Sequence, residues 1–296
     1  MKHIGGMDGK TVVITGGNSG IGKETAVALA ADGAYVVITA RNAGKGEHAR
    51  REIDERSGRN DCHMVALDLA SFASVRTCAQ ELLDACPRID VLVLNAGGVL
   101  AARELTEDGH ERQLQANHLG HFLLTQLLLD RIVASAPARI VVVASGAHKD
   151  AKHGLDWDDL ERARHKYRGF QVYYETKLMN VLFTRELARR LAGTGVTANS
   201  VDPGFVASKF AREGDLSWWG NIGMPLTRPF AKSPAKGART SVYLASSPEV
   251  ANVTGTYFVQ CAAREPSAHG RDDDAPARLW AISETMVQSA AGDTST

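Results

Sequence analysis

The chain has 296 residues, 44% of them hydrophobic, and its 34 basic and 34 acidic side chains balance to a formal charge of zero. That length suits one large α/β domain with a sizeable core, and the balanced charge offers no electrostatic grip on nucleic acid or anionic lipid. Cys62, Cys78, Cys86 and Cys261 show no C-x-x-C spacing, so neither a metal site nor a disulfide framework is indicated, and reduced thiols in a cytoplasmic protein are expected.

The opening MKHIGGMDGK lacks the apolar core of a signal peptide. No apolar run is long enough to span a bilayer, and the most apolar helical stretch, 119–129, is short and holds His121, Thr125 and Gln126. Residues 1–9 are expected as a flexible lead, with Met7 as an alternative natural start. Residues 10–289 are expected as a single domain and 290–296 as a disordered tail.

Residues 10–15 (KTVVIT) read as a buried strand. Gly16-Gly17-Asn18-Ser19-Gly20-Ile21-Gly22 follows, then a helical pattern over 23–32. A strand, a glycine turn and a helix make a phosphate cradle: glycine lets the backbone approach a pyrophosphate, and the helix start offers unpaired N–H groups. The spacing is G-x-x-x-G-x-G rather than G-x-G-x-x-G. Residues 35–40 (YVVITA) form a second strand. Where many dinucleotide folds place a carboxylate for the ribose hydroxyls, this chain has Ala40 followed by Arg41, with Lys45 nearby. A guanidinium in place of that carboxylate favours a 2′-phosphate, hence NADP(H) over NAD(H).

A charged helix over 45–56 leads to a strand over 62–67 that ends at Asp68-Leu69, where Asp68 is placed to meet an adenine amino group. Ser71 caps a helix over 72–85. A strand over 89–94 ends in Asn95-Ala96-Gly97-Gly98, at the kind of strand end where open α/β sheets bind ligands. A long helical region over 106–134 carries Asn117, and its His118 and His121 read as helix-face histidines rather than metal ligands. Ser145 ends a strand over 139–144. A helix over 171–187 (QVYYETKLMNVLFTREL) precedes a strand over 196–201 and Asp202-Pro203-Gly204-Phe205-Val206.

Residues 205–229, with Trp218, Trp219, Met224, Pro225 and spaced glycines, suit a lid over an apolar substrate. A helix over 233–246, a short strand over 256–260, a charged loop over 264–275 and a terminal helix over 276–289 complete the chain. That last helix is expected to dock through Leu279, Trp280, Ile282 and Met286. The alternation implies a doubly wound, Rossmann-type parallel α/β sheet of about seven strands.

Tyr173 and Lys177 lie at i and i+4, on one face of their helix. A free tyrosine titrates near pH 10, and an adjacent ammonium lowers that value. The pair is therefore read as a general acid/base for a hydroxyl or carbonyl substrate. Tyr174 points roughly 100° away around the helix.

Taken together, Thr15-Gly16-x-x-x-Gly20-Ile21-Gly22, Asp68, Asn95-Ala96-Gly97, Asn117, Ser145, Tyr173-x-x-x-Lys177 and Pro203-Gly204 resemble the short-chain dehydrogenase/reductase family along essentially the whole chain. NHLGHFLLT, YYETKLMNVLFTREL, PGFV and RLWAISE resemble the retinol dehydrogenase and WW-domain oxidoreductase branch, whose usual NADP(H) use agrees with Arg41. Ala144 and Val142 depart from residues frequent beside the catalytic serine, and Ser208 stands where relatives often have threonine against the cofactor amide.

The resemblance implies hydride transfer between a nicotinamide and an alcohol or carbonyl carbon of a small lipophilic substrate, retinoid-, steroid- or polyketide-like. Tyr173 is implied to exchange the proton, Lys177 to acidify it and hold the nicotinamide ribose, Ser145 to orient the carbonyl, and Asn117 to position a water. Thr15, Gly16, Asn18, Ser19, Gly20, Ile21, Gly22, Arg41, Asp68, Leu69, Asn95, Ala96, Gly97, Pro203, Gly204, Val206 and Ser208 are implied to contact the cofactor. No membrane anchor, nucleic acid or metal is expected. Pairing through the helices of Asn117 and Tyr173 would give a homodimer or homotetramer, although some members of the branch are monomers. Alternative readings are a C=C reductase and a nucleotide-binding regulator without turnover.

Overall fold

The computed structural model describes residues 6–204 and 233–289. In chain order the main elements are β1 (Thr11–Ile14), α1 (Gly20–Ala31), β2 (Tyr35–Ala40), α2 (Ala43–Ser57), β3 (His63–Ala66), α3 (Phe72–Ala85), β4 (Val91–Leu94), α4 (Arg112–Leu114), a π-helical turn (Gln115–Leu119), α5 (Gly120–Ala134), β5 (Ala138–Val143), α6 (Gly169–Arg190), β6 (Val196–Asp202), α7 (Pro234–Ser246), β7 (Tyr257–Val259), β8 (Ala262–Arg264) and α8 (Ala275–Ser289). The strands lie side by side in the order β3-β2-β1-β4-β5-β6-β7-β8. All neighbours pair in parallel except β7 and β8.

Short Val/Ile/Leu strands suit a sheet covered on both faces. Along β1, Val13 packs into one core layer while Val12 and Ile14 pack into the other; along β4, Leu92 and Leu94 oppose Val91 and Val93. Helices α3, α5, α6 and α8 contribute to the first layer, α1, α2 and α7 to the second. Because β1 lies between β2 and β4, the winding reverses there, and the carboxyl ends of β1 and β4 flank a crevice.

The structure departs from the sequence reading in several places. The sheet has eight strands among the described residues, close to the expected count of about seven. β8 follows β7 through Gln260 (φ 53°) and Cys261 (φ 62°), a tight turn built without the glycine or asparagine that normally signals one. Residues 106–111 are not helical. Thr106 closes a turn with His110, and buried Glu111 starts the helix by accepting from the N–H groups of Gln113 (2.9 Å) and Leu114 (2.6 Å). Met7, expected in a free lead, is buried, and its N–H donates to the Asp32 carbonyl at 2.9 Å. The four cysteines are unpaired. Among the described residues no helix is long and apolar enough to cross a membrane.

Candidate active site

β1 and β4 are stitched together at their carboxyl ends. Thr15, buried at the end of β1, accepts at Oγ1 from the N–H groups of Asn95 (2.8 Å) and Ala96 (3.1 Å), and Asn95 Nδ2 donates to the Thr15 carbonyl at 2.9 Å. Gly16 sits at φ 64°, with space for a Cβ only 3.0 Å from the Ala96 Cβ; a Cβ on Gly22 would fall 2.5 Å from Asn95 Nδ2. Both contacts require glycine. Helix α1 starts after extended Ser19, with no side-chain cap and no acidic residue in its first turn. Asn18, Ser19, Gly20 and Ile21 are at least partly exposed around that start. Unpaired N–H groups, a positive dipole end and a side-chain-free cradle fit a dinucleotide pyrophosphate.

At the end of β2, Ala40 is buried and Arg41 is exposed, while Asn42 caps α2 by accepting from the Lys45 N–H at 2.9 Å. At the end of β3, half-buried Asp68 accepts from the Ala70 N–H at 3.0 Å. The Leu69 side chain packs into the core, and its carbonyl faces Gly120, where a Cβ would lie 2.4 Å away. Past β6, Gly204 (φ 77°) donates its N–H to Asp202 Oδ1 at 2.8 Å, directly after Pro203. Val206, Ser208 and the expected lid over 205–229 lie outside the described residues.

Ser145, Tyr173, Lys177 and Asn117 converge beside this crevice. Ser145 lies just past β5, caps the short turn Gly146–Asp150 and favours the ionised form of the Tyr173 phenol. Buried His148 holds the Ser145 backbone: its Nε2 accepts from the Ser267 N–H at 2.9 Å, so its proton sits on Nδ1 and is donated to the Ser145 carbonyl at 2.7 Å. Lys177 is 2% exposed and donates to the Val143 carbonyl at 3.0 Å, where Asn180 Nδ2 also donates at 3.2 Å. Asn117 sits in the π-helical turn, accepts from the Gly98 N–H and donates to the Gly98 carbonyl, both at 2.9 Å. Its other amide hydrogen goes to Thr176 Oγ1 at 3.2 Å, and Thr176 in turn donates to the Tyr173 carbonyl at 2.9 Å. A Cβ on Gly97 would stand 3.1 Å from Asn117 Oδ1 and 3.4 Å from Lys177 Nζ. Tyr174, by contrast, packs against the core.

Lys177 is expected to acidify Tyr173, and burial acts on Tyr173 in the opposite direction. Burial pushes its phenol up to about 12, with Ser145 opposing and the Asp202 carboxylate adding to the rise. The i,i+4 spacing sets the ammonium 5.6 Å from the ring centre and against a backbone carbonyl. Burial also pushes Lys177 itself down to about 8.

The two histidines read as helix-face residues are both buried. His121 Nε2 lies 2.9 Å from Thr15 Oγ1 and His118 Nε2 lies 2.8 Å from Ser283 Oγ. Sequence reading also missed Thr176 and His148. The i+4 spacing from Asn117 to His121 was the available signal, but nothing local says that this face turns inward.

Residues 10–155 match the family model described as short chain dehydrogenase. The chain is 44% identical to retinol dehydrogenase 14 of Homo sapiens, covering 95% of this chain and 87% of that one. It is 40% identical to the WW domain-containing oxidoreductase of Gallus gallus, covering 99% and 72%. Among solved structures, an uncharacterised protein from Mycobacterium Paratuberculosis is similar at TM-score 0.76 and 33% identity, over 96% of both chains. The Pseudomonas aeruginosa RhlG/NADP active-site complex is similar at TM-score 0.70 and 25% identity, over 91% of this chain and 100% of that one. With its glycine cradle, its parallel sheet and these relatives, the chain belongs to the short-chain dehydrogenase/reductase family of oxidoreductases, in the branch of the retinol dehydrogenases.

Proposed function

We propose that this protein interconverts an alcohol and a ketone or aldehyde on a lipophilic substrate, with NADP(H) preferred. The observation that carries this reading is the convergence of Ser145, Tyr173 and buried Lys177 at the strand ends next to the glycine cradle. The nicotinamide cofactor, when bound, supplies or accepts the hydride.

The chain's own residues handle the oxygen and its proton. Tyr173 holds its proton at neutral pH and donates it to the oxygen of a carbonyl undergoing reduction; in the reverse direction it receives one. Ser145 orients that oxygen through its hydroxyl, and His148 keeps the Ser145 backbone in place. Lys177 places a cation beneath the site and is the group expected to take the nicotinamide ribose hydroxyls. Asn117 braces the loop after β4 against α6 through Gly98 and Thr176. The turn from Gly16 to Gly22 would take the pyrophosphate, with Thr15 pinning the base of that turn to Asn95 and Ala96.

Arg41 and the missing carboxylate at the end of β2 support NADP(H), as does the kinship with a protein solved as an NADP complex. The retinol dehydrogenase relatives support a lipophilic substrate. The deciding experiment follows NADPH and NADH consumption over a panel of lipophilic ketones and aldehydes, and the reverse reaction on alcohols. Turnover faster with NADPH is expected. A clear NADH preference overturns the Arg41 argument, and NADPH binding without turnover on any substrate favours a regulatory nucleotide-binding role.

A further inference from the structure

We infer that His121 is a positioning residue that couples the nucleotide-binding turn to the catalytic helix by accepting from Thr15 on one ring nitrogen and donating to the Asn117 carbonyl from the other. The inference rests on the oxidoreductase reading of the site.

Donor counting fixes the direction of this chain. Thr15 Oγ1 already accepts two backbone N–H groups, from Asn95 and Ala96, so both of its lone pairs are taken and its one proton must go to an acceptor. The Val93 carbonyl lies at the 3.5 Å limit, whereas His121 Nε2 lies at 2.9 Å. Nε2 is therefore the unprotonated nitrogen, and Nδ1 carries the ring hydrogen. That hydrogen faces the Asn117 carbonyl at 3.5 Å, a long contact placed where the π-helical turn meets α5.

The path then runs on, with the His121–Asn117 contact at 3.5 Å as its longest link. The Asn95 and Ala96 amides reach Thr15, Thr15 reaches His121, and His121 reaches Asn117. Asn117 holds Gly98 and Thr176, and Thr176 holds the Tyr173 carbonyl. His121 is the one side chain in this path that touches both the β1 turn and the Asn117 backbone. It is 3% exposed, and the charged and titratable groups whose fields reach it are Lys177 from α6 and His118 from the π-helical turn. Burial above all, and then both of these groups, oppose a charge on the ring, so it keeps the neutral form that the path requires.

The test separates the two links. Glutamine places its terminal amide near the position of Nε2, and asparagine places its amide near Nδ1. His121→Gln is expected to keep NADPH affinity, read by fluorescence titration, within roughly threefold of wild type while kcat falls roughly tenfold or more, the loss expected for one buried hydrogen bond. His121→Asn is expected to do the opposite, weakening NADPH binding more than it lowers kcat. His121→Phe loses both. Melting curves accompany each variant.

If glutamine and asparagine lower affinity and kcat in the same proportion, following the loss of thermal stability, His121 is only a core residue and the inference fails. Wild-type behaviour in both variants also overturns it. A wild-type protein that neither binds nor oxidises NADPH overturns the underlying reading instead. Because the binding titration needs no substrate, these failures are distinguishable.

Discussion

The Lys177 ammonium stands 5.6 Å from the centre of the Tyr173 ring and donates to the Val143 carbonyl at 3.0 Å. Sequence spacing places the two residues on one face, but the lysine chain runs under the ring to a backbone acceptor instead of to the phenol. Burial then dominates both groups in opposite senses, favouring a neutral phenol and weakening the hold of the ammonium on its proton. The pair is thus poised with the transferable proton already on tyrosine, the form required for carbonyl reduction.

Tyr173→Phe is expected to lower turnover by about 10²–10⁴-fold, the usual contribution of a general acid/base, with NADPH binding retained and Tyr174→Phe close to wild type. With the phenol pushed up to about 12, the basic form needed for alcohol oxidation is scarce at pH 7. Oxidation should accelerate as pH rises from about 7 to 9 while reduction does not. An oxidation profile that levels off below pH 7 would show that the phenol is acidified in the working complex.

Lys177→Met is expected to abolish activity and raise stability at pH 7. The lysine is 2% exposed with its pKa lowered to about 8, and Asn180 still satisfies the Val143 carbonyl after its removal. A depressed lysine destabilises the fold while the folded state must hold the proton. Between about pH 8 and 10.4 the unfolded chain retains a proton that the folded chain has lost, so wild-type stability from this group rises with pH. Denaturant melts of the two proteins should differ by about 1–3 kcal/mol at pH 7, and the gap should close toward pH 10. A less stable methionine variant at pH 7 contradicts the argument.

Acid should weaken the fold through His118 and His121. Burial lowers them to about 4 and about 3, so as pH falls below 6.5 the unfolded chain takes up protons first and stability drops. Each group contributes a slope of about 1.4 kcal/mol per pH unit until its folded value is reached. His110 acts in the opposite sense. Its bond to Glu161 raises its pKa, so its contribution is complete below 6.5 and fades as pH rises through the raised value. His118→Gln, which keeps a donor for Ser283, should flatten the dependence of melting temperature on pH between about 4.5 and 6.5.

Arg41→Asp should reverse cofactor preference. Replacing a charge-assisted bond to a 2′-phosphate with a carboxylate that suits ribose hydroxyls is expected to raise the KM for NADPH roughly 10–100-fold while that for NADH falls. Unchanged KM values for both cofactors would remove Arg41 from the site.

Light scattering should report a monomer. Helix α8 packs on α6 and the π-helical turn, where the family resemblance places pairing, and reaches α5 through Phe122. Trp280 stacks on Phe183 at 16° and meets Phe122 edge-on, and Ser283 bonds His118. Arg190 and Arg278 lie over Trp280 and Trp157, at the edges of that packing. A stable dimer at micromolar concentration would require a different surface, or displacement of α8.

The sequence by itself determined most of the elements and where their chemistry stands. Strand periodicity, the glycine turn and the caps are local signals; α3 begins and ends where its Ser71 cap and apolar stripe place it, over Phe72–Ala85. The residues that gather at the strand ends, from Thr15 to Gly204, are readable because a parallel sheet delivers every strand end to one edge. Tertiary structure decided what depends on partners distant in the chain. Glu111 shortened the helix expected over 106–134. Gln260 and Cys261 adopted a left-handed turn that their side chains do not advertise. Above all, desolvation governed the proton affinities of Tyr173, Lys177 and His121. Spacing along a helix states which side chains are neighbours, but the exclusion of water around them is a property of the packed whole.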